Sequence, residues 1–134
     1  MLSFQDSLEQ LTLLNFRYND YGETLSEITE HIYCQLDDKR IYWIEEDGKI
    51  IAYYDFFWVN SPDEVYLYEQ IGMIPDGTKG GILYINNLVI DSPDKGIIWD
   101  LWHMKPKSDF ILYKRGDEKL KLRRLHDAKT KQVH

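Results

Sequence analysis

The chain has 134 residues, enough for one domain and too few for two ordinary ones. It is 43% hydrophobic, 29% charged and 14% aromatic, which fits a globular protein and excludes a disordered or collagen-like chain. Its net charge of -7 is uneven: residues 114–134 hold eight Lys and Arg against three Asp and Glu, a net of +5, so the first 113 carry -12.

Ser3 to about Phe16 reads as a helix, because Phe4, Leu8, Leu11 and Leu14 line one face and Ser3 with Asp6 resembles a capping box. Asn19, Asp20 and Gly22 break the chain. A second helix starts at Thr24, which forms a capping box with Glu27, and its stripe is Leu25, Ile28, Ile32 and Leu36. Arg40–Glu46 and Lys49–Val59 then form a hairpin, because Asp47-Gly48 suits a two-residue type I′ turn. Ser61-Pro62-Asp63 makes a turn, and Val65 to Ile74 is a strand or a short helix, the alternation of Val65, Leu67, Glu69 and Ile71 with Tyr66, Tyr68 and Gln70 favouring the strand.

Pro75–Gly81 is a loop by composition. Ile82–Ile90 is an apolar central strand interrupted by Asn86 and Asn87. After the turn Asp91–Gly96, a helix runs from Gly96 to Met104 with Ile97, Ile98, Leu101 and Trp102 inward and Pro106 beyond its end. Asp109–Arg115 is a strand, and Lys119–Leu125 is a last strand or short helix. This order predicts an α+β fold, with helices packed on a largely antiparallel sheet, in one domain with a basic C-terminal segment at about residues 116–134.

The acidic body disfavours nucleic acid, since phosphate contacts need a basic surface. No run approaches 18 apolar residues and the N-terminus lacks a secretory pattern, so a cytoplasmic location is the expectation. The single cysteine, Cys34, allows no internal disulfide and reads as a buried helix residue. No histidine pair has zinc-motif spacing, so no metal is expected.

Glu69 is the candidate general base: a carboxylate in an apolar strand beside the central one could take a proton from an amine. The alternative is a solvated edge-strand Glu. Tyr113 is the candidate general acid, or a packed tyrosine with a satisfied hydroxyl. Tyr42, Trp43, Tyr53, Tyr54, Phe56, Phe57, Trp58, Tyr66 and Tyr68 put aromatics on both sheet faces. One face packs on helices, and the other is either covered by a second layer or open to a protein partner, as the basic C-terminal segment also is.

The segment Tyr84–Trp102, YINNLVIDSPDKGIIWDLW, resembles the centre of the GCN5-related N-acetyltransferase (GNAT) fold, in which an apolar strand, a short loop and a helix hold acyl-coenzyme A. The resemblance implies that the backbone of Leu88, Val89 and Ile90 pairs with the pantetheine arm. It implies that Lys95, Gly96 and Ile97 hold the pyrophosphate, as loop amides and a helix N-terminus do. The second small residue of the family's loop is missing, and Ile98 and Trp99 stand there instead. By this resemblance the chain is an acyl-CoA-dependent N-acyltransferase acting on an amine. The alternative is an inactive GNAT-like binding or structural module, since short degenerate GNAT-like chains also resemble small accessory proteins of tailed phages. The toxin-activating lysine acyltransferases likewise lack the glycine-rich loop and use a His and an Asp. His31 lies on the second helix, and Asn86 or Asn87 falls near where their Asp would, although Asn is no base.

Overall fold

Thr24 and Glu27 set the start of one helix and Asp47-Gly48 sets a hairpin, and from these two local devices much of the architecture follows. The computed structural model describes residues 2–18, 22–72, 81–94, 96–114 and 119–124. Its elements are α1 (Phe4–Tyr18), α2 (Leu25–Asp37), β1 (Ile41–Glu46), β2 (Lys49–Val59), α3 (Pro62–Ile71), β3 (Ile82–Ile90), α4 (Ile97–His103), β4 (Phe110–Tyr113) and β5 (Lys121–Arg124). The strands form one mixed sheet in the order β1-β2-β3-β4-β5. The chain divides into two compact units, Met1–Asp55 with Asn87–Lys105 and Phe56–Asn86 with Pro106–His134.

In the first unit, Ser3 Oγ accepts the Asp6 amide at the head of α1. The capping box of α2 is complete: Glu27 N–H donates to Thr24 Oγ1 and Thr24 N–H to Glu27 Oε1. α1 and α2 bury Leu11, Leu14, Ile28 and Ile32 against Ile41, Ile50, Tyr53 and Val89. Leu25 and Phe4, expected on the buried stripes, are half exposed, and Cys34 is exposed rather than buried, because Ile28, Ile32 and Gln35 form the inner face of α2. The hairpin is as expected. Asp47 and Gly48 both have positive φ, 54° and 76°, as a type I′ turn needs. Gln10 of α1 fastens the turn, donating to Gly48 O and accepting from Ile50 N–H.

The register of β1 and β2 shifts between Ile44 and Glu45, with Ile44 opposite Ala52 and Glu45 opposite Ile50. The extra residue, Ile51, reverses the alternation, so Ile50 and Tyr53 both reach the core under the helices. Tyr53 and Asp55 therefore share that face. Asp91 N–H donates to Ile51 O, and Asn87 N–H reaches Asp55, so β3 runs antiparallel to β2 here. On the other face Tyr54 and Phe56 are buried. α4 packs on β1 with Ile97 and Leu101 buried, while Ile98, expected inward, is exposed together with Trp99.

In the second unit the segment expected as a strand from Val65 is the helix α3. Pro62 occupies its first turn with Asp63 and Glu64, and Gly72 closes it with φ 70° and a bond to Tyr68 O. Val65 is its buried residue, with Tyr68 one turn on packed against the core of Phe57, Val59, Ile82, Tyr84 and Leu112. The alternating pattern marked no sheet face. β4 runs parallel to β3 through Ile82↔Phe110, Leu83↔Ile111 and Tyr84↔Leu112, and β5 runs antiparallel to β4. β3 continues to Ile90, past its register with β4. Lys119–Leu125 thus holds a strand, not a helix. Most of the loop Pro75–Gly81, and residues 116–118 and 125–134 of the basic segment, lie outside the described residues.

Candidate active site

Asp55 is a charged residue in the middle of an apolar strand, and it is 0% exposed. A buried carboxylate must be matched by donors or a positive charge. Three polar atoms meet that need. His31 Nε2, from α2, lies 2.7 Å from Asp55 Oδ2. Asn87, from β3, donates its backbone N–H to Oδ1 at 3.0 Å and its Nδ2 to Oδ2 at 3.2 Å.

The His31 side chain keeps 20% of its surface exposed, so it joins a dry anion to the solvent side of the unit. Burial alone would lower its pKa. The hydrogen bond and charge of Asp55 outweigh burial and Glu23 adds to them, against Arg40, so His31 sits above the usual histidine value. The contact with Asp55 engages the Nε2 side of the ring. A histidine oriented by a buried carboxylate is suited to take a proton from a nucleophile and return it to a leaving group.

Nearby, Asn15 Nδ2 donates to the Tyr53 hydroxyl, and burial first, then the charge of Asp55, keeps that phenol protonated. At the end of β3, Asp91 accepts from Tyr18 and from Arg17, pinning the last turn of α1 to the start of the β3–α4 turn.

Glu69 and Tyr113, expected from sequence, both belong to the second unit. Glu69 lies on α3, not on a strand, and its carboxylate pairs with Lys114 at 2.9 Å. Tyr113, at the end of β4, accepts from Arg123 Nε at 2.9 Å. The structure therefore pairs each with a cation and not with the other. Leu88, Val89 and Ile90 lie on β3 directly after Asn87, with Val89 buried and Leu88 exposed. Gly96 N–H already donates to Asp94 Oδ1 at 2.9 Å, and Ile97 is buried at the head of the seven-residue α4. A carboxylate thus stands where the resemblance places a pyrophosphate. Lys95 lies outside the described residues. Among the described residues, no three His, Cys, Asp or Glu side chains are grouped to hold a metal, and no helix is long and apolar enough to cross a membrane.

No protein-family model matches this sequence, and no curated protein matches it. Solved structures do. The GNAT-like decarboxylase GphF in complex with isobutyryl-CoA matches with a TM-score of 0.60 at 12% identity, covering 98% of this chain and 70% of that one. A possible acetyltransferase from Clostridium difficile 630 matches at 0.58 and 13% identity, covering 98% and 84%. The loading GNATL domain of CurA from Lyngbya majuscula matches at 0.55 and 13% identity; 81% of this chain spans 58% of that one. The chain has a GNAT-like α+β fold, as the resemblance implied.

Proposed function

We propose that this protein transfers an acyl group from acyl-coenzyme A to an amine, with His31 as the proton-transfer residue. The observation that carries the proposal is the 2.7 Å contact between His31 and the fully buried Asp55. The fold supports the choice of acyl donor, since one structure of the same fold holds isobutyryl-CoA. In the proposed reaction the amine nitrogen bonds to the thioester carbonyl carbon and the carbon–sulfur bond breaks. His31 Nδ1 takes the proton that the amine loses and gives it to the departing thiolate, leaving an amide and a free thiol. Asp55 stabilises the imidazolium between the two transfers.

The backbone of Leu88, Val89 and Ile90 is the proposed contact for the pantetheine arm. β3 runs past its register with β4 at this stretch, and Asn87 ties the same strand to the proton-transfer pair. Lys95, Gly96 and Ile97 are the proposed contacts for the pyrophosphate, on the condition that Asp94 releases the Gly96 amide. The base role expected of Glu69 passes to His31, because Glu69 is held by Lys114.

The test is isothermal titration with acetyl-CoA and CoA, followed by an assay of thiol release with a panel of primary amines. Micromolar binding lost in Gly96→Trp, and thiol release lost in His31→Gln with binding kept, are the expected results. No heat at millimolar ligand together with no thermal shift sinks the proposal.

A further inference from the structure

Asn87 interrupts the apolar run Ile82–Ile90, and a polar side chain in such a strand costs free energy unless it is matched. Its match is Asp55. The backbone N–H and the side-chain amide of Asn87 both point at one carboxylate, at 3.0 and 3.2 Å, with a longer contact from Nδ2 to Oδ1 at 3.4 Å. We propose that Asn87 is a positioning residue for His31, acting through Asp55. This rests on the proton-transfer role proposed above for His31.

The amide orientation is fixed by its partner: Nδ2 faces a carboxylate, whereas Oδ1 there would place acceptor against acceptor. Asp55 thus receives donors from β3 on Oδ1 and shares Oδ2 between Asn87 and His31. These donors stop the carboxylate from rotating. A fixed anion holds His31 as the Nε2–H tautomer, and so leaves proton exchange to Nδ1. The charged groups that act on His31 are Asp55 on β2, Glu23 ahead of α2 and Arg40 at the entry to β1. Asn87 adds no charge of its own. Its place directly before Leu88 makes one strand hold both the anion and the stretch proposed for the acyl arm.

The test is NMR titration of the His31 imidazole in the full chain, without ligand. Asn87→Asp keeps the shape and sets a second carboxylate against Asp55, so the midpoint should rise by about one pH unit or more. Asn87→Ala removes the side-chain donor, leaves Asp55 a stronger acceptor, and should raise the midpoint by less. In the acyl-transfer assay, Asn87→Asp should move the acidic limb of the pH–rate profile upward with the KM for acetyl-CoA unchanged. A midpoint that stays put in a folded variant overturns the inference. If neither variant folds, the imidazole nitrogen shifts of the unaltered protein decide it, and an Nδ1–H tautomer overturns it. Absence of acyl transfer with a shifted midpoint instead removes the proposed reaction and leaves the coupling of Asn87 to His31 in place.

Discussion

His31 Nε2 and Asp55 Oδ2 lie 2.7 Å apart, with the carboxylate fully buried and the imidazole one-fifth exposed. The two partners do not have equal consequences when removed. Asp55→Ala leaves the Asn87 amide and the His31 ring without their acceptor inside the protein, and should cost about 3 kcal/mol. His31→Ala leaves Asp55 with both Asn87 donors and should cost less. Urea denaturation of the two variants and their double mutant measures this. The double mutant should lose less than the sum, because both act through one contact.

The same pair gives stability a pH dependence of known sign. The folded protein holds the proton of His31 more tightly than the unfolded chain, whose value is the ordinary 6.5. Its contribution is therefore complete below that value and falls away as pH rises through the higher folded value. The stability difference between the wild type and His31→Gln should be larger near about pH 6 than near about pH 9. A difference that grows toward alkaline pH contradicts the assignment of Asp55 as the dominant partner.

Asp94 sets the third prediction. Its side chain accepts the Gly96 amide and places a negative charge at the turn into α4. If the proposed pyrophosphate contact lies there, Asp94 competes with it for that donor and repels it. Asp94→Ala should then tighten CoA binding by about five- to tenfold at low salt, a gain of roughly 1 kcal/mol. Binding of a pantetheine fragment without phosphates should not change. Equal effects on both ligands would place the pyrophosphate elsewhere.

What the sequence made legible was local. The capping box at Thr24, the positive-φ turn at Asp47-Gly48 and the apolar run of β3 each declare themselves within a few residues. α3 also carried its signal, with Pro62, Asp63 and Glu64 at the start and Gly72 at the end, but the alternation of Val65–Ile71 outweighed it. That alternation had no meaning, since Val65 is the residue the helix buries. The site was harder because it is tertiary. The resemblance to the toxin-activating acyltransferases points to His31, but it sets Asn86 or Asn87, which are no base, where their Asp falls. The partner is Asp55, twenty-four residues away on β2, and Asn87 instead supports it. The available signal was a lone Asp between Tyr54 and Phe56 in an otherwise apolar strand, which is costly to bury without a purpose.

Glu69, on α3, is paired with Lys114 at 2.9 Å, so a substrate amine would have to displace that partner to reach it. His31 is already oriented by a fixed anion and needs no such step. His31→Gln should therefore lower kcat by about 10²- to 10⁴-fold, the range for losing a general base. Glu69→Gln should lower it far less. Both variants should keep their KM for acetyl-CoA, since neither side chain is among the proposed cofactor contacts. Steady-state thiol release with a fixed amine measures all four constants. The reverse order of kcat, with both variants folded, would return the base role to Glu69 and leave the His31–Asp55 pair as a structural contact.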